Sequence, residues 1–448
     1  MSDKTAAPVP PIPPVNSRDL TRTIAPLAPL AVALVAAHLF TPAVSAPAAG
    51  SSAFSSHAQV APVGVPVDTP APLLSSGNAV DWWFVFKFNS ETLPGCGGAA
   101  QRACIFGGTV QPYNNFGQQF AYASSANHNL QSGGGCVGDT LTDPIGATFD
   151  EVYNGNYFYV VWNDQFYGDP LNTESSPAGH SKGVLAWDND GNGFVMQVST
   201  PSWPGSGSVR SPRQTDGNTL GCVKDNDVLV SQHYFALKLN KDDVLAVLRA
   251  MQNSSVVTAP AKPETVNNGG PADIQQLANG LGAISTSDTP TKVALSSGVV
   301  LLSKPSHLHV PPWQMVSAML SGEPLRVASW WTRPEIPTTL GTEEIGCWSS
   351  TLGKPGGVQI ATSGTWAGKS IGLEGLSEPE GNHAKIGVSS GGTHSYIIFG
   401  DMNQQGTLSG NCNSSQNGRG GMFYVVNDPT LYTSVSNLLQ GQSAPAAN

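Results

Sequence analysis

Apolar positions in this chain gather into short blocks separated by polar, turn-rich stretches. Val80–Phe88 (VDWWFVFKF) is almost wholly apolar and aromatic, the pattern of a strand covered on both faces. Tyr157–Trp162 (YFYVVW) is a second such block. Lys182–Trp187 and Gly193–Ser199 flank the run DNDGN, which predicts a hairpin with its turn at Asp188–Asn192. Leu325–Trp331, Ala384–Val388, Ser395–Phe399 and Met422–Val426 repeat the style in the second half of the chain.

Helical spacing is rarer. Asn240–Gln252 opens on a capping Asn240, carries Asp242 and Asp243 in its first turn, and sets Val244, Leu245, Leu248 and Met251 on one face. Ala272–Leu281, Pro312–Leu320 and Leu431–Leu439 are shorter candidates, and Tyr234 to about Ile284 is placed as a join between two halves. Strands interspersed with helices predict an α/β (α+β) protein with mostly antiparallel or mixed sheets.

Composition agrees with short strands and long turns. Among 448 residues there are 50 Gly and 35 Pro, and only 12% are charged. The net charge of −10 argues against a non-specific polyanion binder, although a local basic cleft remains compatible with it. Arg18 and Arg22 precede an apolar stretch, Ile24–Phe40, followed by small residues at Ala43–Ala46. Pro26, Pro29 and His38 make this a poor membrane span and a better export segment, so no membrane integration is expected. Residues 1–46 are therefore read as a signal segment and 47–77 as a flexible Ala/Pro/Ser linker. An exported chain with six cysteines favours disulfides, and Cys96 and Cys104 are close enough in sequence to close a small loop. The other four have no pairing legible in the sequence. A secreted or periplasmic location follows.

The candidate chemistry lies in two triplets, His180–Ser181–Lys182 and His383–Ala384–Lys385. Each follows a Gly or Asn turn residue and opens a predicted strand. On a strand, residues i and i+2 face the same way, so each imidazole sits beside an ammonium. Two such pairs brought together by a pseudo-two-fold suit a phosphodiester. One imidazole can attack phosphorus, the other can protonate the leaving oxygen, and the lysines can hold the non-bridging oxygens in place of a metal.

Several other features have duller readings. His233, His307, His309 and His394 read as surface or core histidines, and His307/His309 lack a nearby third ligand. Trp82–Trp83 and Trp330–Trp331 read as core residues before base-stacking platforms. Asp188, Asp190 and Asn192 mimic a calcium loop without its closing Glu, so a turn is preferred and no metal or cofactor is expected.

From Val80 onward the sequence resembles the deoxyribonuclease II family, a branch of the phospholipase D-like superfamily, as a bacterial-type exported member. The likeness rests on VDWWFVFKF (80–88), VWNDQ (161–165), GHSKGVLAWDNDGNGFVMQVSTPSWP (179–204), NHAK (382–385), GDMNQ (400–404) and NGRGG (417–421). The resemblance implies two phospholipase D-like halves, 78–240 and 285–430, forming a pseudo-dimer with one shared site. A connecting helical segment would span 241–284, and a C-terminal helix and tail 431–448. It implies a metal-independent acid endonuclease that cuts DNA through a phosphohistidine and leaves 3′-phosphate ends. Its catalytic set would be His180, Lys182, His383 and Lys385. Asn163, Asp164, Asp401, Asn403 and Arg419 fall in family motifs near the site. The family's cysteines after the second H-x-K are missing here, so the corresponding local disulfide is not expected. Neither block has the Asp five residues after Lys that marks phospholipase D, which favours a nuclease over a lipid phosphodiesterase. A catalytically silent exported nucleic-acid-binding protein of the same fold is the alternative from another class.

Overall fold

The computed structural model describes residues 69–96, 104–109, 116–138, 140–167, 170–171, 173–213, 220, 222 and 226–446. The predicted signal segment and residues 47–68 of the predicted linker lie outside them.

The first part of the described chain builds β1 (Trp82–Lys87), β2 (Phe120–Ser124), β3 (Asn127–Ser132), α1 (Pro144–Tyr153), β4 (Phe158–Asn163), β5 (Lys182–Trp187), β6 (Gly193–Val198), β7 (Gln232–Leu239), α2 (Lys241–Asn253) and β8 (Val266–Asn267). Its eight strands form one sheet, order β3-β2-β1-β7-β6-β5-β4-β8, with every pairing antiparallel. Then follow α3 (Ala272–Asn279), β9 (Thr291–Ala294), β10 (Val300–Lys304), α4 (Pro312–Met319), β11 (Leu325–Ala328), β12 (Val358–Ile360), β13 (Ser363–Trp366), β14 (Lys369–Gly372), β15 (Ile386–Ser389), β16 (Tyr396–Gly400), β17 (Gly421–Asn427) and α5 (Pro429–Leu438). Seven of these strands form a second sheet, order β12-β11-β15-β16-β17-β10-β9, in which β11–β12 is parallel and the other pairings antiparallel. Strands β13 and β14 make a separate ribbon. Antiparallel pairing on this scale makes the molecule α+β.

The two sheets thread alike. The run β2-β1-β7-β6-β5-β4 of the first has the same chain logic as β9-β10-β17-β16-β15-β11 of the second. In each, one strand separates the strand that begins at or just after an H-x-K (β5, β15) from the strand that leads into a helix (β7–α2, β17–α5). Aromatic rings stitch the facing sheets together: Phe399 on β16 stacks on Phe84 of β1 at 4.6 Å and on Phe235 of β7 at 4.5 Å. Apolar clusters on the outer faces contain Phe149 of α1 on one side and Trp313 of α4 on the other.

Local signals explain the edges of the elements. The Asn240 side chain accepts from Asp243 N–H while Asp243 answers to the Asn240 N–H, a capping box that starts α2. Asp188 Oδ1 accepts from the N–H groups of Asp190 (2.9 Å) and Asn192 (3.0 Å), so the acidic run between β5 and β6 is a turn.

Three expectations need correction. Tyr234–Leu239 lies in β7, between β1 and β6, and so is part of the first sheet. At the end of the predicted linker, Ala71 and Leu73 are buried, and Leu73 N–H donates to Thr148 Oγ1 on α1 at 2.9 Å. Cys96 bonds to Cys136 and Cys104 to Cys222, with Cys347–Cys412 as the third bridge. Backbone rungs decide the first pairing: Gln118 N–H donates to Gly95 O and Val137 N–H to Gln118 O, both at 3.1 Å, so residue 136 runs alongside residue 96. Thr109 N–H donates to Cys222 O at 2.8 Å and aligns the second. Among the described residues no helix is long and apolar enough to cross a membrane.

Candidate active site

A cavity of about 340 Å³ opens where the two sheets meet. Its walls include His180, His383, Lys385, Asn403 and Arg419 from the predicted set, together with Trp330. Lys182, Asp164 and Asp401 lie just behind the wall and are buried.

The backbone brings His180 there by crossing between sheets. His180 N–H donates to Gly420 O at 2.8 Å, and Gly179 N–H to Ser255 O at 2.8 Å. A Cβ at Gly179 would lie 2.4 Å from the Ser254 carbonyl oxygen, and one at Gly420 would lie 2.1 Å from the same atom. Both glycines are thus needed for the close approach of three chain segments. His180 Nδ1 lies 2.6 Å from the backbone carbonyl of Asp401. A carbonyl can only accept, so Nδ1 carries the proton and Nε2 keeps its lone pair. Burial, then the charge of Lys182, holds this imidazole well below its usual pKa and therefore neutral.

Behind His180 is an ion-pair triad. Lys182, the first residue of β5, donates to Asp164 Oδ1 at 2.6 Å, and Arg419 Nη2 to Asp164 Oδ2 at 2.8 Å. Burial pushes the Asp164 carboxyl up, but Lys182 and Arg419 outweigh it and hold it well below the usual carboxylate range. Arg419 also donates to the carbonyls of Ala178 (2.9 Å) and Gly179 (2.7 Å), which fixes the approach to His180. Asp401 accepts from Gln197 Nε2 (2.9 Å) and Met422 N–H (2.8 Å), and burial raises its carboxyl to about 7 in spite of these bonds.

His383 has a different setting. Its N–H donates to Ser231 O at 2.7 Å. Its Nδ1 lies 3.4 Å from Asp227 Oδ1 and 3.4 Å from Gln232 Nε2, and its ring meets Trp330 edge-on with centroids 4.2 Å apart. Burial, then Lys385 and Lys182, pushes its pKa well below the usual imidazole value. Lys385 Nζ donates to the His383 carbonyl at 2.5 Å, and burial lowers its pKa to about 7. The Lys385 N–H donates to His233 Nδ1 at 3.1 Å.

Asn403 lines the cavity. Its Nδ2 donates to Gln405 Oε1 at 2.8 Å, while its buried Oδ1 has no partner among the described residues. Asn163 does not reach the cavity wall. Its side chain spans from Gln165 N–H (2.9 Å) to the Trp203 carbonyl (3.3 Å) and shapes the loop after β4. Among the described residues no group of three or more His, Cys, Asp or Glu side chains could hold a metal ion.

Sequence reasoning missed Asp227 and Gln232 and took Trp330 for a core residue, whereas His233, read as a surface or core histidine, is fully buried. Asp227 and Gln232 sit in a stretch without motif, and only folding carries them to His383. Trp330 had a signal in its doublet with Trp331, but the structure divides the two: Trp330 lines the cavity, and Trp331 packs at the edge of the α4-side core.

The cavity where the two sheets meet thus gathers His180, His383 and Lys385 on its wall with Lys182 behind it. The family profile for Deoxyribonuclease II matches residues 72–444, and the chain belongs to that family. It is similar to Deoxyribonuclease-2-alpha of Bos taurus, 32% identical over 167 residues, which is 36% of this chain and 41% of that protein. Similarity extends to Deoxyribonuclease-2-alpha of Rattus norvegicus (31% over 166 residues; 34% and 42%) and to Cell-death-related nuclease 7 of Caenorhabditis elegans (29% over 155 residues; 33% and 35%). The chain thus spans about two fifths of the length of the curated mammalian relatives it matches.

Proposed function

We propose that this protein is a metal-independent, acid-type DNA endonuclease that works through a phosphohistidine and leaves 3′-phosphate ends. The observation that carries the reading is the His180 tautomer, with its proton on Nδ1 and its Nε2 lone pair free, in the same cavity as His383. His180 Nε2 attacks the phosphorus of the scissile diester, and the bond from phosphorus to the 5′-oxygen breaks. That oxygen takes the proton of His383 and leaves as a hydroxyl. In the second half, water gives a proton back to His383 and attacks phosphorus. The N–P bond breaks, restoring neutral His180 and releasing the 3′-phosphate. Lys385 at the wall, Lys182 behind it and Asn403 would offset the charge growing on the non-bridging oxygens. We read the like-threaded sheets as two phospholipase D-like halves around this one site. The three disulfides and the apolar leader fit a secreted or periplasmic protein.

An acid optimum has a physical basis in the site. His383 must be protonated to act, yet burial and Lys385 disfavour its cation, so low pH is needed. His180 must stay neutral, and burial keeps it so. A bound phosphodiester anion and the Asp227 carboxylate both favour the His383 cation. Plasmid nicking in EDTA tests the reading: strand breaks are expected at pH 5 and to fall away by pH 8. Nicking that requires added magnesium or calcium would exclude it.

A further inference from the structure

Two lysines that belong to neither H-x-K occupy matching places. Lys87 ends β1, Lys304 ends β10, and both are fully buried. Neither has a carboxylate within ion-pair distance among the described residues. Instead each ammonium donates to alternate carbonyls of the loop that leads into the neighbouring strand. Lys87 Nζ reaches Val230 O at 2.5 Å and Val228 O at 3.4 Å, whereas Lys304 Nζ reaches Arg419 O and Asn417 O at 2.8 Å each. The register is the same, with Lys87 opposite Gln232 on β7 and Lys304 opposite Gly421 on β17. The next carbonyl in each loop accepts from a histidine of the opposite sheet: Ser231 O from His383 N–H, and Gly420 O from His180 N–H.

A buried ammonium without a counter-ion is costly, and an apolar side chain would fill the same space without that cost. The Asp227 carboxylate adds a longer-range attraction for Lys87, but burial alone acts on Lys304, so the hydrogen-bonding to the loops is the feature that the two lysines share. We propose that Lys87 and Lys304 are positioning residues for the reaction: each fixes the loop whose carbonyl grips the backbone of one reacting histidine, Lys304 for His180 and Lys87 for His383. Burial lowers both lysines to about 7, so under acid conditions each ammonium is charged and offers all three N–H groups.

The proposal rests on the division of labour between the two histidines, which supplies a readout that a merely structural lysine would not move. The full-length protein is assayed on DNA and on thymidine 3′-(p-nitrophenyl phosphate), whose p-nitrophenolate departs without an acid. First-turnover release is compared for wild type, Lys87→Met, Lys304→Met and His383→Ala, with folding checked by circular dichroism. Lys87→Met is expected to slow DNA cleavage about tenfold or more while leaving nitrophenolate release close to wild type. Lys304→Met is expected to slow both substrates alike. Equal losses on both substrates in Lys87→Met, or wild-type rates in either lysine variant, would overturn the positioning roles. If His383→Ala loses both substrates equally, the acid role of His383 is wrong, and the fault lies in the parent reading. Lys87→Gln and Lys304→Gln, whose side chains are one atom too short to hold both loop carbonyls, carry the same test, with a smaller loss of the same pattern expected, for any Met variant that does not fold.

Discussion

The neighbourhoods of His180 and His383 share a threading and a backbone hydrogen-bond scheme but differ in what touches the ring. His180 gives its Nδ1 proton to a peptide carbonyl, an acceptor that never changes charge, and sits in front of a closed Lys182–Asp164–Arg419 triad. His383 turns Nδ1 toward the Asp227 carboxylate and Gln232, and its ring lies against Trp330. A carbonyl fixes a tautomer, whereas a carboxylate also favours the cation. Groups that lie outside the motif thus give its two copies different surroundings, and under the proposed mechanism these suit different proton tasks.

The largest expected effect comes from removing either imidazole. His180→Ala and His383→Ala should each cost several orders of magnitude in DNA cleavage, in the range of about 10²–10⁴ or more for an essential acid–base or nucleophilic group. Reactions with labelled DNA, quenched in detergent at alkaline pH because the N–P bond is acid-labile, separate the two: protein-bound phosphate should accumulate in His383→Ala and be absent in His180→Ala. The reverse pattern would exchange the roles assigned to the two sides.

Asp164→Ala should hurt the His180 side through stability. It strands the buried Lys182 and Arg419 without their shared carboxylate, a loss of about 3–5 kcal/mol by analogy with other broken buried pairs. Urea denaturation at pH 7 measures it. Lys385→Ala should leave the fold intact and cost roughly 2.7–4 kcal/mol in transition-state stabilisation, read from kcat/KM, if it acts like one oxyanion-hole donor.

Asp227→Asn sharpens the contrast at smaller cost. Losing the carboxylate beside His383 lowers its tendency to hold a proton. The limb of the pH–rate profile that falls with rising pH should therefore move to lower pH, by about one unit. No such shift is expected from Gln197→Ala, which touches Asp401 on the His180 side.

The last effect is on pH-dependent stability, a property of the whole fold that the two histidine sides share. Lys87, Lys304 and Lys385 have folded values near 7, below the unfolded value of about 10.4. Between those limits the unfolded chain binds more protons, so stability should rise as pH increases from 7 to 9. The midpoint of thermal unfolding should climb over that interval, and climb less in Lys87→Met and Lys304→Met. An unchanged or falling midpoint would mean that these lysines are not held in the buried state described.

Much of the local structure was legible because it depends on near neighbours. The alternating and aromatic blocks marked β1, β4, β5, β6, β11, β15, β16 and β17, and the Asn240/Asp243 cap marked α2. The histidine–lysine triplets and the GDMNQ and NGRGG segments were visible as residue strings. Weakly apolar β3, with half its side chains polar and exposed, was not, nor was the short ribbon β13–β14. Pairing of the cysteines failed because nearness in sequence says little once a hairpin brings residue 136 beside residue 96.

By itself, then, the sequence determined which segments extend, which coil, and which residues carry imidazole and ammonium groups, because those follow from side-chain chemistry and period. Only the tertiary structure decided which nitrogen of His180 is free, which carboxylate faces His383, and why Lys87 and Lys304 are buried. The partners in those contacts are 221 residues away for His180 and Asp401, and 113 and 115 for Lys304 and its loop. Most are backbone carbonyls, which every residue possesses and no motif can record. Their meaning arises only when two sheets close on one cavity and bring particular carbonyls within reach of these buried side chains.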